Sequence, residues 1–461
     1  NEMKGIPVLR TEKGETIPVQ LVSHETRKDE DARLIADREE FLTIAMQVPA
    51  VDGLGTLRLD LTNALEEAAS NVEGTVSSSD NTLENNLIKV TASSNGTIKL
   101  TDKRNGEEYE GLLEWEDSGD VGDEYDYNPI KSDISIRSSN LDFDNEVIQT
   151  GPLVGSLIIS GALELPINAV PGNKGRAEET VLCEFATEIT MHANSPTLQV
   201  VTEFINQAED HRLRVLFPSG TNANKVLADS AFDLMERPVR PLDDDSDWKQ
   251  PVAPTYPMRR FVSLSSDDRG ITITTRGLLE FEILEEQGGT IALTTLRSVG
   301  WLSKGYLATR KDAAGPILET PGGQCLGLQI FEYAITPHQG DRPEDILSNS
   351  EAFLLPMTAI LTPGREGTRG VRSASYLNIE PECIELSAFK QCEEGKELAV
   401  RLWNSSDVEH ECKLDFGFDI KKVTLARADE TPIENHVKLE KSRIITAKIK
   451  PRGLLTLLLD I

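Results

Sequence analysis

Along most of the chain, apolar residues recur at every second position. Leu198, Val200, Thr202 and Phe204 alternate with Gln199, Val201 and Glu203. Leu213, Val215 and Phe217 alternate with Arg212 and Arg214, and Leu279, Phe281 and Ile283 with Glu280 and Glu282. The period repeats at Ile271 and Ile273, at Leu398, Val400 and Leu402, and at Leu414, Phe416, Phe418 and Ile420. A period of two turns one face of a strand to a core and the other to water, as antiparallel sheets do. Asn95-Gly96 stands between strand-like stretches 87–92 and 97–102, and Asn-Gly supplies the positive φ angles of a type I′ hairpin turn. A second Asn-Gly follows one strand later, at Asn105-Gly106, so the pattern predicts a meander. Helical spacing is scarce. Residues 343–355, with Pro343 suited to a first turn and Glu344 and Asp345 behind it, form one candidate, and residues 61–69 another. Strands and helices do not alternate, which argues against a doubly wound parallel sheet.

Composition divides the chain. Residues 1–80 are polar and broken, ending in the Ser/Asn-rich stretch 77–86, and are expected as a small, partial N-terminal β domain. Residues 81–365 are a long run of strands and predict a central β-sandwich. A linker rich in Gly, Arg and Ser (362–375) leads to a small C-terminal β domain, 376–461. The expected fold is all-β, a large antiparallel β-sandwich flanked by smaller β domains. No short period repeats along the chain.

Charge narrows the partners. The 461 residues include 47 basic and 77 acidic ones, a formal charge of −30. Nucleic acid and anionic membrane both require a basic footprint, so neither is expected; the surface reads as solvated and self-repelling. No run of about 18 apolar residues is present, so no membrane span is expected. The acidic run Asp243, Asp244, Asp245 and Asp247 lacks the ligand spacing and glycine of a calcium loop and reads as a solvated loop. The five cysteines, Cys183, Cys325, Cys383, Cys392 and Cys412, are odd in number and contain no Cys-x-x-Cys pair. Reduced, buried thiols and the lack of a signal peptide point to a cytoplasmic protein.

The familiar catalytic signatures are missing: no Gly-x-Ser-x-Gly, no phosphate loop and no His-Glu-x-x-His. The six histidines, His24, His192, His211, His338, His410 and His436, show no zinc-ligand spacing, and no metal site is expected in this chain. What stands out is three dense polar segments. Residues 117–129, DSGDVGDEYDYNP, pack Asp117, Asp120, Asp123, Glu124 and Asp126 around Tyr125 and Tyr127, with Gly119 and Gly122 for tight bends. Carboxylates accept bonds from sugar hydroxyls, and tyrosines offer a ring with a hydroxyl handle. An acidic edge loop or a cation site reads the same stretch equally well. Residues 212–220 (RLRVLFPSG) and 228–238 (ADSAFDLMERP) form the second segment. The third, 296–326, mixes Arg297, Trp301, Arg310 and Lys311 with glycines and prolines, which suits a polar ligand or packing against another domain.

Taken in order, these segments resemble the C-terminal region of glycoside hydrolase family 38, the α-mannosidase and mannosylglycerate hydrolase type. LENNLIKVTASSNGTIKLTDKRNGEEY (83–109), YPMRRFVSL (256–264), GPILETPGGQCLG (315–327) and FEYAITPH (331–338) support the likeness. So does LSAFKQCEEGKELAVRLWNSS (386–406), similar to the small terminal β domain of bacterial members. The resemblance runs from about Gly14 to the end. It implies an α/β catalytic domain holding Zn²⁺ and an aspartate nucleophile, then a helical bundle, then β domains. The zinc and nucleophile motifs are absent here, so the resemblance implies no catalytic residue and no cofactor in this chain, with Zn²⁺ in the intact enzyme. It further implies an α-mannoside substrate, the protein's own N-terminal catalytic domain as partner, and a possible homo-oligomer.

One substrate contact is carried over. The family's Gly-x-Tyr-x-aromatic-x-Pro-like stretch is matched by Tyr125, Tyr127 and Pro129, with the glycine displaced to Gly122. The resemblance therefore assigns Tyr125 to bonding sugar hydroxyls, with Asp123, Asp120 and Tyr127 as neighbours and Arg297 and Arg310 as further substrate-binding residues. A rival expectation is a non-catalytic carbohydrate-binding β-sandwich module, and a third a structural or oligomerisation unit.

Overall fold

The computed structural model describes residues 7–28, 38–62, 72–172, 174–239, 248, 250–340, 342–362, 373–433 and 437–461. The acidic run at 243–247, most of the 61–69 helix candidate and most of the linker lie outside them. The fold is all-β. Pro343–Leu354 is the one α-helix among the described residues, with Glu344 and Asp345 in its first turn, and every pairing within the sheets is antiparallel.

The centre is a large sandwich. One layer is a nine-stranded sheet. It runs in space from Asp144–Thr150 through Val154–Pro166, Thr180–His192, Leu198–Asn206, Gly327–His338, Gly270–Thr275, Phe261–Ser265 and Lys225–Ser230 to Asp233–Pro238. Facing it are a six-stranded sheet, with Glu114–Gly119, His211–Pro218 and Thr290–Ser298 in its middle, and a five-stranded meander over residues 77–112. One apolar core is shared by all three sheets. Trp115 of the six-stranded sheet lies among Phe185, Phe204 and Phe331 of the nine-stranded one, ring centroids 6.0, 6.3 and 6.3 Å away. Phe217 meets Tyr333 edge-on at 5.7 Å. Such large rings on facing strands carry much of a sandwich's burial.

This core already includes Val76, and Ser77–Ser79 pairs with Thr82–Glu84, so the central unit starts ahead of residue 81. The Asn-Gly hairpins form, with a different turn. Gly96 and Gly106 take φ of 79° each, while Asn95 and Asn105 stay at negative φ. In the first hairpin Ala92 pairs with Ile98, and Gly96 N donates to Ser93 O. That is a five-residue connection built on a β-turn with a left-handed glycine, where a type I′ turn needs both central residues at positive φ.

Two smaller units flank the centre. Near the N-terminus, Val8–Thr11, Thr16–Ile17 and Leu59–Thr62 make a three-stranded sheet beside the hairpin Val19–Lys28 and Arg38–Met46. Gln20 pins this piece to the centre, its Oε1 accepting from Leu153 N and Val154 N at 2.6 and 2.8 Å. The C-terminal unit is two four-stranded sheets around their own core, including Leu402, Leu414, Phe416, Ile445 and Leu457. All five cysteines are unpaired. No helix among the described residues is long and apolar enough to cross a membrane.

Candidate functional site

The site grows from the middle of the six-stranded sheet. Glu114–Gly119 and His211–Pro218 lie side by side there, in register Glu116 with Arg214, Ser118 with Arg212 and Gly119 with His211. Both strands are buried on both faces. Their inner residues, Trp115, Leu213, Val215 and Phe217, enter the core. Alternation implies that Arg212 and Arg214 face water, yet the structure covers both. Arg214 Nε donates to Glu116 Oε1 at 3.0 Å and its Nη1 to Glu282 Oε2 at 2.6 Å. Arg137 Nε and Nη2 reach Glu116 Oε2 at 3.2 and 2.9 Å. Burial alone would raise the Glu116 pKa, but Arg214 and then Arg137 hold it below the usual carboxylate range. Among the described residues Arg212 has no carboxylate partner. Its guanidinium lies over the Tyr127 ring, 3.6 Å from the centroid, and burial pulls its pKa down.

Beyond Gly119 the chain turns into a loop organised by its own acids. Asp120 Oδ1 accepts from Gly122 N and Asn128 N at 2.9 and 3.1 Å, and Oδ2 accepts from Arg297 Nε at 2.8 Å. Burial pushes the Asp120 pKa upward against the pull of Arg297. Gly122 is required by close approach: a Cβ there would sit 2.0 Å from Asp126 O. Asp123 Oδ1 caps Tyr125 N and Asp126 N at 3.0 and 2.9 Å. Its Oδ2 accepts from Lys304 N at 2.6 Å and pairs with Arg310, which also pairs with Asp126.

This loop is knitted to the distant segment 296–326. Glu124 N donates to Trp301 O at 3.0 Å, Ala308 N to Asn128 Oδ1 at 2.9 Å, Thr309 Oγ1 to Tyr127 O at 3.1 Å, and Arg297 Nη2 to Asp123 O at 2.9 Å. Beneath it, Asp117 pairs with Arg176 and with His211, whose Nε2 lies 3.1 Å from Asn206 Oδ1.

The dense segments picked out in the sequence therefore converge, with one exception. Residues 228–238 fall in the hairpin at the far edge of the nine-stranded sheet. Within the site, the proposed residues divide. Tyr125 stands out of the fold with 54% exposure, and no partner among the described residues bonds its hydroxyl. Its ring lies 5.9 Å from the Arg310 guanidinium and its hydroxyl rests near Gly315, where a Cβ would come within 3.0 Å. Tyr127 is half-buried beneath Arg212. Asp120 and Asp123, expected beside Tyr125 as sugar contacts, are instead wholly buried, and every one of their oxygens is engaged by this chain. Arg297 and Arg310 are likewise spent on those acids. These four shape the loop that presents Tyr125.

Sequence reasoning passed over Lys304 and Arg212, although both lie in the segments it marked. Lys304 Nζ donates to Val121 O at 3.2 Å, and burial lowers its pKa. Among the described residues no three His, Cys, Asp or Glu side chains gather as metal ligands would.

Comparison with known proteins agrees in kind. Residues 83–304 match the family described as glycosyl hydrolases family 38 C-terminal domain. Residues 384–457 match the glycosyl hydrolases family 38 C-terminal beta sandwich domain. A protein of Halalkalibacterium halodurans named putative mannosylglycerate hydrolase is 34% identical over 275 residues, 57% of this chain and 29% of that protein. A solved α-mannosidase from Enterococcus faecalis superposes with a TM-score of 0.82 at 25% identity, over 99% of this chain and 51% of that one. A second Enterococcus faecalis structure, titled as a protein of glycosyl hydrolase family 38, gives 0.82 at 24% identity, covering 53% of its length. The chain thus spans about half of these solved structures and under a third of the curated relative.

Proposed function

The chain belongs to glycosyl hydrolase family 38, of which it carries the C-terminal region, and from that premise we propose that it supplies the rim of an α-mannoside-cleaving site. In this reading the metal and the nucleophile stand in an N-terminal catalytic domain. Retaining glycosidases use one carboxylate to attack the anomeric carbon while a second acts as acid and then base. No such pair is assigned to this chain, whose buried acids at the site, Asp120 and Asp123, are consumed by arginines and backbone amides. Its contribution is Tyr125. The observation that carries the reading is that Tyr125 is exposed and its hydroxyl has no bonding partner among the described residues, while the loop under it is locked by buried ion pairs. Such preorganisation lets a single hydroxyl hold a sugar oxygen in place.

A second feature supports an interdomain role. The outer face of the nine-stranded sheet exposes Leu182, Val201, Ile205, Leu328 and Ile330, with Ile205 directly opposite Leu328. Glu188 and Glu332 flank Val201 and Glu203 stands opposite Ile330, so the face is apolar positions set among acids; exposed apolar surface of this kind suits docking, of the catalytic region or of another copy.

Alone, with or without added zinc, the chain should not hydrolyse aryl α-mannosides, since nucleophile and metal supply typically six or more orders of magnitude. Zinc-dependent turnover by the purified chain, abolished by a chelator, would overturn the reading. Joined to an N-terminal catalytic region of the family, it should support turnover, and there Tyr125→Phe should lower kcat/KM about ten- to a hundredfold, or about 1.5–3 kcal/mol. Unchanged kinetics in Tyr125→Phe, with a lowered melting temperature in Tyr125→Ala, would make Tyr125 a packing residue.

A further inference from the structure

We propose that Tyr306 is a second saccharide contact, a ring on which an uncharged sugar on the leaving-group side of the substrate stacks. The proposal rests on the reading of Tyr125 above and names the class of aglycone: a further hexose, as in a mannobiose, in place of a small acid. At 95% exposure Tyr306 is the most open of the large apolar and aromatic residues described. It also stands at φ 63°, in the left-handed region. A bulky side chain is an outlier there, where glycine sits without strain. Nothing in the fold offsets that strain: the ring is in water, and among the described residues only its backbone N is bonded. A strained, solvent-facing ring of this kind points outward, to a ligand.

The ring is firmly mounted. Residues 303–315 close on themselves, Ser303 Oγ accepting from Ala314 N and Gly315 N at 3.0 and 3.2 Å. Within this loop Tyr306 N donates to Lys311 O at 3.1 Å, and Arg310 Nη2 to Lys304 O at 3.1 Å. A tyrosine held in this way offers a large contact at little cost in conformational freedom. One carboxylate presents both tyrosines. Asp123 Oδ1 caps Tyr125 N at 3.0 Å, and its Oδ2 accepts from Lys304 N at 2.6 Å. Tyr306 follows Lys304 by two residues, a reach of at most about 7 Å. At its far end the loop returns to Tyr125 at Gly315, where an added Cβ would lie 3.0 Å from the Tyr125 hydroxyl. The two phenols therefore stand on one clamped ledge, within reach of one short saccharide.

Charge on the ledge selects an uncharged ligand. Arg297 and Arg310 are bound to Asp120, Asp123 and Asp126, and Lys304 Nζ donates to Val121 O. Exposed Lys311 is outnumbered by exposed Asp312, next to it in the chain, and Glu124, next to Tyr125. A carboxylate or phosphate on the aglycone would meet this negative edge, whereas the apolar face of a hexose fits a phenol ring.

Saturation-transfer NMR on the whole chain tests this, with methyl α-mannoside, each linkage isomer of α-mannobiose and mannosylglycerate as probes. Aromatic protons should pass saturation to the reducing-end ring of a mannobiose. Tyr306→Phe should keep that transfer, and Tyr306→Gly should cut it about fivefold or more without lowering the melting temperature, since glycine accepts the backbone angle. In the chain joined to an N-terminal catalytic region of the family, Tyr306→Gly should lower kcat/KM for that mannobiose about fivefold and leave methyl α-mannoside unchanged. A Tyr306→Gly that weakens both substrates alike, or neither, overturns the proposal. So does mannosylglycerate turned over better than any mannobiose and untouched by Tyr306→Gly, and so does absence of transfer to every mannobiose from both the chain and the joined protein. A Tyr306→Gly chain that no longer binds the catalytic region makes the ring a domain contact, which also overturns it. The role of Tyr125 is read separately, by Tyr125→Phe on methyl α-mannoside: silence there, with the mannobiose-selective loss at Tyr306 intact, removes the Tyr125 contact and supports this one.

Discussion

Asp123→Ala should cost the protein about 3–5 kcal/mol, although it removes one side chain from what the sequence presents as a surface loop. Its carboxylate is wholly buried and answers four donors at once: Tyr125 N, Asp126 N, Lys304 N and Arg310. Alanine leaves the Arg310 charge buried with Asp126 as its remaining carboxylate and leaves three backbone amides without an acceptor. An uncompensated buried charge is the most expensive outcome of a broken ion pair. Asp123→Asn separates the two contributions. Its amide oxygen can still cap Tyr125 and Asp126, but its NH₂ meets the Arg310 guanidinium, so most of the loss should remain. Thermal melts and limited proteolysis measure it: cleavage within 120–130 should appear in both variants well below the global transition. A melting temperature within a degree of wild type would show that the loop is held by its backbone contacts to 296–326 and that the acids are incidental.

The fold was legible because its signal is local. Alternation along 198–204 and 213–217 places each inward residue in the core, and Pro343 with two acids behind it marks the helix start. The turn at Asn95-Gly96 was read one type off, since dipeptide chemistry fixes where φ turns positive and leaves the loop length to the pairing of Ala92 with Ile98. The segments that build the site were also legible as dense polar stretches. Their meaning was not. Acids at Asp120 and Asp123 look solvent-facing in one dimension, because the arginines that bury them lie 177 and 187 residues away. For the same reason the stacking of Arg212 on Tyr127 leaves no trace in the sequence: it joins residues whose neighbours give no hint of the other. Tyr125 is the exception. Glu124 beside it is exposed, and the glycine before it permits the bend that lifts both out of the fold.

Arg214→Met should destabilise the chain by about 3 kcal/mol, and adding Glu116→Leu should return most of that loss. Both side chains are almost fully buried on the outer face of the six-stranded sheet. Arg214 alone spans Glu116 and Glu282, while Glu116 also takes two bonds from Arg137. Removing the arginine leaves Glu116 with Arg137 only, and Arg137 is itself shared with Glu286. The carboxylate then keeps its desolvation and loses its largest attraction, so its pKa should move up from the depressed range it now occupies. The sign of the pH effect follows: the group's present contribution exists above the ordinary carboxylate range and fades as pH falls through its lowered value, so the Arg214→Met deficit should be greatest near neutrality and shrink in acid. In the double variant two apolar groups of similar volume replace the pair, and buried pairs replaced in this way are often neutral or stabilising. Urea melts of the two single variants and the double one measure the coupling by a double-mutant cycle. Additive losses would mean that the pair contributes through separate contacts with Glu282 and Arg137. A restored double variant would mean that the sheet tolerates an apolar outer face here, so that the charged lattice is kept for something other than stability, on the same strands that carry the Tyr125 loop.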